Sequence, residues 1–209
     1  GRLPLDRISA REWHLVGGDD GALLDRLGQM PSNLGSVAAR ILQGLVTGAD
    51  PVFLLTDTPS GLYHSDATGL DHQLEADLLH PLCKGSVNMR RYRIADVTKS
   101  ILFPYRLVNG KAELLTPAEL ARLYPEVWRY LLANRGRLES RENGKWKHQR
   151  WYAFGRSQNL SQMEQPKIMT PSIASRASFS LDRSGHYYFV GSGGGGGGGV
   201  GPCRTCSLT

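Results

Sequence analysis

The chain has 209 residues, of which 40% are hydrophobic and 21% are charged. This composition is typical of a globular protein with an apolar core, and it excludes a disordered chain, a collagen-like repeat and a small disulfide-built fold. The 3 cysteines cannot close a disulfide framework, and no segment is apolar enough to cross a bilayer or to act as a signal peptide at the N-terminus. We therefore expect a reduced, cytoplasmic protein with no membrane partner.

The net charge of +6 is unevenly distributed. Residues 1–83 carry 5 Arg against 11 Asp and Glu, a balance of −6, whereas residues 84–209 carry 20 Lys and Arg against 8 Asp and Glu, a balance of +12. Two clusters, at 84–106 and 135–156, hold most of the surplus and are interleaved with aromatic and amide side chains, as is typical of nucleic-acid-binding proteins. The alternative is a solvated face with ordinary ion pairs, some of them to the acidic half.

The acidic half predicts short alternating elements. Asp19 or Asp20 can cap a helix that carries Leu23, Leu24 and Leu27 on one face. The other elements expected before residue 83 are strands over 13–16, 34–42 and 52–55 and an acidic helix over 71–79, ended by Pro81.

The basic half combines hairpins with helices. Asn109-Gly110 is the preferred sequence of a type I′ turn and predicts a hairpin over 100–115. Thr-Pro-Ala-Glu at 116–119 is typical of a helix start with a capping box. A second helix is expected from Pro125 to Gly144. The remaining expected elements are a strand over 87–94 with its cationic side chains outward, strands over 149–154 and 168–169, and a hairpin over 177–190.

The second helix has two different faces. Trp128, Tyr130 and Leu131 are expected in the core. Arginines are expected on its outer face, at Arg129, Arg135, Arg137 and Arg141.

Strands and helices are mixed without βαβ regularity, which predicts an α+β fold with a mixed, largely antiparallel sheet and a few packed helices. We expect one domain over residues 1–190, either undivided or split into two subdomains near residue 83. A Gly-rich flexible tail is expected over 191–209, because the glycine run at 193–199 lacks the context of a phosphate-binding loop.

Motifs that would assign catalysis are missing from the sequence. It has no Walker motif, no HExxH and no GxSxG, its 6 histidines are scattered, and the lone Cys-x-x-Cys at 203–206 lacks a second pair. Cys83 lies in an apolar stretch and is expected to be packed. We expect no catalytic residue, no metal site and no bound cofactor. Glu142 and Lys145 echo one end of a metal-dependent nuclease site, which keeps a nuclease fragment as an alternative.

Seven segments follow one another in a diagnostic order. They are RILQGLVTGADPVF at 40–53, LCKGS with RRY at 82–92, ILFPY at 101–105, YPEVWRYL at 124–131, LESRE at 138–142, RWYAFGR at 150–156 and KIMTP at 167–171. In this order they resemble the TaqI-like C-terminal specificity domain of N6-adenine DNA methyltransferases, a group that includes bifunctional type II restriction–modification enzymes.

The resemblance implies a target recognition domain, which binds double-stranded DNA and positions a catalytic methyltransferase domain on the target site. In such enzymes the catalytic domain binds S-adenosylmethionine and flips the adenine out of the duplex. Its Asn/Asp-Pro-Pro-Tyr motif and Gly-rich cofactor loop are absent from this sequence. The resemblance therefore implies a fragment or partner subunit that is not an enzyme by itself. Whether the parent also cleaves DNA stays open.

Lys and Arg bind phosphates, while Arg, Asn and Gln read base edges, and both properties select the candidate DNA contacts. The predicted contacts are Lys84, Arg90, Arg91, Arg93, Lys145, Lys147, Arg150, Tyr152, Arg156, Gln158 and Asn159. We expect these cations to share one face of the molecule.

Three alternatives stay open for individual residues. Either Trp151 is core and Arg150 and Tyr152 face the duplex, or the reverse holds. Thr47-Gly48 is a turn or a backbone contact to phosphate. The basic surface as a whole could instead dock on an acidic protein.

Overall fold

The structure of the chain is a computed structural model. It describes residues 19–33, 36, 38–171, 177–191 and 203–208, the last range by its backbone alone.

The chain divides into two compact units, Gly1–Ala38 and Ala39–Thr209. In the first unit, helix α1 covers Asp19–Gly28 and begins with two aspartates in its first turn, which confirms the helix predicted there. The strand predicted over 13–16 lies outside the described residues.

Short helices and many short strands make up the rest of the described chain. The helices are α2 (Asp50–Phe53), α3 (Gly85–Asn88), α4 (Pro117–Leu123), α5 (Pro125–Ala133), α6 (Arg135–Glu139) and α7 (Arg141–Gly144), with 3-10 turns at Ala76–Leu78 and Leu160–Gln162. The strands are β1 (Ala38–Gln43), β2 (Leu54–Asp57), β3 (Tyr63–Ser65), β4 (Leu70–His72), β5 (Leu79–Cys83), β6 (Met89–Arg90), β7 (Arg93–Ile94), β8 (Lys99–Leu102), β9 (Tyr105–Val108), β10 (Lys111–Leu114), β11 (Lys167–Pro171), β12 (Ser180–Asp182), β13 (Tyr188–Phe189) and β14 (Cys203–Leu208). None of the helices described is long and apolar enough to cross a membrane.

Two sheets hold most of these strands. The first has six strands in the order β13–β5–β8–β2–β3–β4, antiparallel except for the parallel pair β13–β5. The second has four strands in the order β1–β14–β11–β12, and β6–β7 and β9–β10 form two separate hairpins. The arrangement confirms the predicted α+β fold with largely antiparallel sheet. Strands from both sides of residue 83 build the six-stranded sheet.

The core joins the six-stranded sheet to helix α5. Tyr130 of α5 is buried, and its hydroxyl donates to the Val52 carbonyl at 2.7 Å and lies 2.7 Å from the Ser65 hydroxyl. Phe53 packs edge to face on Phe154, with ring centroids 4.9 Å apart. Burial of each such side chain stabilises the fold by about 1.5–3 kcal/mol. Cys83 is buried in this core, as predicted.

Elements with a strong local signal are confirmed. Strands β9 and β10 pair across Asn109 and Gly110, whose φ angles of 49° and 74° are those of a type I′ turn. Thr116 caps α4 by accepting from the Glu119 amide, and the Glu119 carboxylate accepts from the Thr116 amide in return. Strand β11 contains the strand predicted over 168–169.

Other predicted elements are divided or shortened. The strand over 34–42 is confirmed only from Ala38 onward. In the stretch 52–55 every residue is buried, but the first two belong to α2 and the last two to β2. The helix from Pro125 begins as predicted but breaks after Ala133, and α6 follows it directly.

The acidic helix predicted over 71–79 is wrong. This stretch forms the end of β4, one 3-10 turn and the start of β5, because Leu79 pairs with Leu102 of β8 in the sheet. The Glu75 carboxylate accepts two backbone amides in the first turn of α5, at 2.9 and 2.8 Å. A side chain from another element therefore caps this helix.

The hairpin predicted over 177–190 is also wrong, because β12 pairs with β11 and β13 pairs with β5. The buried Asp182 carboxylate holds the chain in this path. It accepts from Lys167 Nζ at 2.7 Å and from the Tyr187 amide at 3.0 Å. Burial acts to raise the pKa of Asp182, but these hydrogen bonds and the Lys167 charge outweigh it and leave the pKa below its ordinary value.

Candidate nucleic-acid interface

Hairpin β6–β7 is the first candidate surface, and we call residues 89–94 the basic hairpin. A single strand was predicted over 87–94, but the chain reverses at Arg91 and Tyr92, which leaves Arg90 opposite Arg93. The φ angles of Arg91 and Tyr92 are 39° and 73°. All three arginines are exposed, and Tyr92 is 76% exposed. The turn thus gathers three positive charges and one aromatic ring at its tip.

Buried hydrogen bonds hold the base of the basic hairpin. Asn88 is 4% exposed, accepts from the Lys84 amide at 2.8 Å and donates to two main-chain carbonyls just after β7 at 3.0 and 2.8 Å. The Ser180 hydroxyl of β12 donates to the Arg93 carbonyl at 2.8 Å. Tyr92 itself forms an isolated bridge with Ser180. Strand β12 therefore supports the hairpin as far as its tip.

No described carboxylate of the acidic half pairs with the charges of the basic hairpin. In the described part of the chain, each ion pair of a Lys or Arg joins two residues of the basic half, and none involves Arg90, Arg91 or Arg93. Among the described residues, the Arg90 side chain donates to the Val87 carbonyl at 3.2 Å. For these residues, the geometry does not support the alternative of salt bridges to the described residues between 19 and 83.

The segment 145–159, which we call the basic loop, is the second candidate surface. The predicted contacts that are exposed on it are Lys145, Lys147, Arg150, Arg156 and Gln158. Apart from a long 4.0 Å contact between Arg156 and Glu142, these cations lie outside the described ion pairs. Asn159 is half-buried, and its side-chain amide donates to the Gln43 carbonyl at 3.0 Å.

A buried arginine organises the basic loop. The guanidinium of Arg141 donates to the carbonyls of Leu138, Thr47, Ala153 and Trp151 at 2.8, 3.0, 3.0 and 2.5 Å. It also lies 4.1 Å from the centroid of the Trp146 ring. Burial lowers the pKa of Arg141 to about 10. The prediction that Arg141 lies on the outer face of a helix is therefore wrong.

Arg141 also explains why no strand forms over 149–154. The Arg141 guanidinium occupies the Trp151 and Ala153 carbonyls, which a neighbouring strand would need as acceptors. The stretch is a series of turns instead. The segment then closes on the turn at 47–48, where the Gly155 amide donates to the Thr47 carbonyl at 2.8 Å. A Cβ at Gly155 would lie 3.2 Å from the Gly48 Cα, so the approach of the two backbones favours glycine. Thr47 is buried, in agreement with its reading as a turn residue.

Neither alternative for Trp151 and Tyr152 is correct, because both side chains are buried. The Tyr152 hydroxyl donates to the Leu115 carbonyl at 2.7 Å, so this residue belongs to the core and is removed from the set of surface contacts. Arg150, which directly precedes Trp151 in the basic loop, is exposed. Of the residues predicted in the core of the second helix, Tyr130 and Leu131 are buried and Trp128 is half-buried.

An open groove of about 770 Å³ lies beside the basic loop. Trp128 and Trp151 lie in its lining, with ring centroids 5.8 Å apart. Lys147, Arg150 and Arg135 also line it, and Arg135 is paired with Glu139 at 2.7 Å. The groove therefore combines aromatic rings with positive charge, as phosphate-bearing aromatic ligands require.

The sequence analysis did not select two residues that shape the candidate interface. Tyr92 carried a signal, because it stands inside the run Arg90 to Arg93, yet only the charged neighbours were selected. Arg141 carried none, since its spacing matched that of the exposed arginines on the helix. Among the described residues, no three His, Cys, Asp or Glu side chains lie close enough to hold a metal ion, so the nuclease alternative gains no support.

The comparisons with known proteins relate the chain to restriction–modification enzymes. It is 23% identical over 172 residues to the type II restriction enzyme and methyltransferase RM.Eco57I of Escherichia coli. The matched region is 76% of this chain but 17% of that protein, so the chain spans less than a fifth of the length of this relative. No protein-family model matches the chain. The narrower assignment to a TaqI-like specificity domain stays a prediction from the seven segments.

Proposed function

We propose that the chain is the double-stranded DNA recognition domain of a restriction–modification enzyme with adenine-N6 methyltransferase activity. In this role it selects the target sequence and positions the catalytic domain of the parent protein, which binds S-adenosylmethionine. The chain itself contributes contacts to the duplex and performs no methyl transfer. Its similarity to part of a restriction enzyme and methyltransferase supports this role.

The observation that carries the proposal is the state of the exposed cations. Arg90, Arg91 and Arg93 project from an anchored hairpin without a carboxylate partner among the described residues. Lys145 and Lys147 are exposed on a loop held by a buried guanidinium. Unpaired cations on rigid supports gain free energy from phosphates without first breaking internal ion pairs.

A competition experiment separates this function from docking on an acidic protein. The chain is bound to a fluorescent 20-bp duplex and challenged with unlabelled duplex or with polyglutamate at equal charge. We expect the duplex to compete at least tenfold better, because amides and arginines also contact sugars and base edges. Equal competition by polyglutamate would favour the protein-docking alternative.

Paired variants locate the contact. Arg90→Ala with Arg91→Ala is expected to weaken duplex binding about tenfold while the unfolding temperature is unchanged, since both side chains are exposed. Arg129→Ala is the matched control, because Arg129 is also exposed but is paired with Glu126 at 2.5 Å. A lower unfolding temperature with unchanged affinity would show that Arg90 and Arg91 serve the fold.

A further inference from the structure

Two hairpins of this chain use the same kind of two-residue turn with very different residues. In β9–β10 the left-handed positions are filled by Asn109 and Gly110, which adopt positive φ easily. In the basic hairpin they are filled by Arg91 and Tyr92. A positive φ is a true outlier for a bulky residue. The turn at 91–92 therefore retains side chains that make it harder to form.

Strain of this kind persists only where the surroundings impose it, and it is concentrated at functional sites. Here the surroundings are the buried Asn88 and the Ser180 hydroxyl, which fix both ends of the hairpin. The strained turn places Tyr92 at the end of the hairpin. Tyr92 is 76% exposed and stands at the tip of the hairpin.

We propose that Tyr92 is a wedge that inserts between adjacent base pairs of duplex DNA and unstacks them. The proposal rests on the DNA-binding function proposed above and names the residue that deforms the duplex. A two-stranded ribbon fits the major groove of B-DNA, and the arginines at 90, 91 and 93 would bind the phosphates that border it. The planar ring then has a base on each side, and stacking on an aromatic ring favours any base.

The charges around Tyr92 select DNA over an apolar protein surface. Burying the ring against a protein would bring three guanidinium groups into the interface without carboxylate partners, and unpaired buried charges are strongly unfavourable. In a duplex, each inserted ring is flanked by phosphates on both strands. The three arginine charges that oppose an apolar protein partner therefore favour duplex DNA.

A wedge has a signature that simple phosphate binding lacks. Unstacking opposes insertion in an intact duplex, and a mismatched step is already weakened. The test compares, by fluorescence anisotropy, the affinity of the full chain for two 20-bp duplexes, one intact and one with a central T·T mismatch. The chain is expected to bind the mismatched duplex about tenfold more tightly. 2-Aminopurine beside the mismatch should brighten on binding, because its stacking is lost.

Variants at one position separate the ring from the backbone. Tyr92→Ala and Tyr92→Gly should bind both duplexes equally, and Tyr92→Gly does so without the strain of a bulky residue at positive φ. Tyr92→Trp should keep the preference for the mismatch. Leu123→Ala is the control, since Leu123 is also apolar and 49% exposed but lies on α4.

The outcomes distinguish this inference from the function on which it rests. Equal, salt-dependent binding of both duplexes by the unaltered chain, or a mismatch preference that survives Tyr92→Ala, would overturn the wedge and leave DNA recognition intact. Failure to bind either duplex would contradict the DNA-binding function itself.

Discussion

Arg141 shows how one buried side chain can set the shape of a candidate interface. Its guanidinium satisfies four main-chain carbonyls from three separate stretches of the chain. A charge so placed is balanced by carbonyl dipoles and by the face of Trp146. The basic loop takes its path from these contacts.

Removing Arg141 should therefore disturb both the fold and the loop. We expect Arg141→Ala to lower the free energy of unfolding by about 3 kcal/mol, because buried carbonyls lose their donors. Arg141→Lys should recover only part of this loss, since an ammonium lacks the planar fork that reaches several carbonyls at once. Urea unfolding followed by circular dichroism measures both changes.

Arg137 provides the comparison, because it is exposed and makes a single 3.2 Å hydrogen bond to the Ala67 carbonyl. Arg137→Ala should change the free energy of unfolding by less than about 1 kcal/mol. Equal effects at Arg137 and Arg141 would contradict the organising role of the buried guanidinium.

At the scale of elements, the tight turns at 91–92 and 109–110 can be compared directly. They share positive φ at both central positions, but only the turn at 109–110 has residues that favour it. The difference predicts that the basic hairpin is less stable with Arg91 and Tyr92 than it would be with Asn and Gly at these two positions.

An exchange of the two turn sequences tests this difference. Replacing Arg91-Tyr92 by Asn-Gly should raise the free energy of unfolding by about 1–2 kcal/mol, and placing Arg-Tyr at 109–110 should lower it by a similar amount. Chemical denaturation of the two variants measures both values. A loss of stability on introducing Asn-Gly at 91–92 would show that the native turn is not strained.

The buried pair of Lys167 and Asp182 joins β11 to β12 and predicts the response of the fold to acid. The folded pKa of Asp182 lies below its value near 4 in the unfolded chain, so the pair stabilises the protein at neutral pH. This contribution is lost as the pH falls from about 4 through the folded pKa. Asp182→Asn should remove about 3 kcal/mol at pH 7, because it leaves Lys167 buried without its counter-charge.

Urea unfolding between pH 3 and pH 7 measures this dependence. The variant should lose less stability than the unaltered chain as the pH falls, since it has no carboxylate to protonate at this position. Identical slopes for the two proteins would rule out Asp182 as a source of the acid sensitivity.

At the scale of the whole molecule, what could be predicted from the sequence depended on the range of the interactions. Asn109-Gly110 and the Thr116 capping box act within a few residues, and both were predicted correctly. The Glu75 carboxylate instead accepts from a backbone amide that is 51 residues away in the sequence. The Asp182 carboxylate accepts from Lys167, which lies on a different strand, and the order of these strands was not predicted. No periodic pattern records such contacts, so the elements around them were predicted wrongly.

The candidate site shows the same division. Charge counting located both basic clusters, because exposed arginines and lysines need no specific neighbour. It could not separate Arg141 from Arg137, or recognise Tyr152 as a core residue, since burial depends on the packing of distant segments. The prediction that both clusters share one face remains a prediction.

The dependence of duplex binding on salt tests the central claim most directly, which is that the exposed cations of the basic half bind DNA phosphates. If about six phosphates are neutralised, the logarithm of the binding constant should fall with the logarithm of salt concentration with a slope of about −5. Arg90→Ala with Arg91→Ala should reduce the steepness by about 2. Affinity that stays constant between about 50 and 200 mM salt would contradict the account.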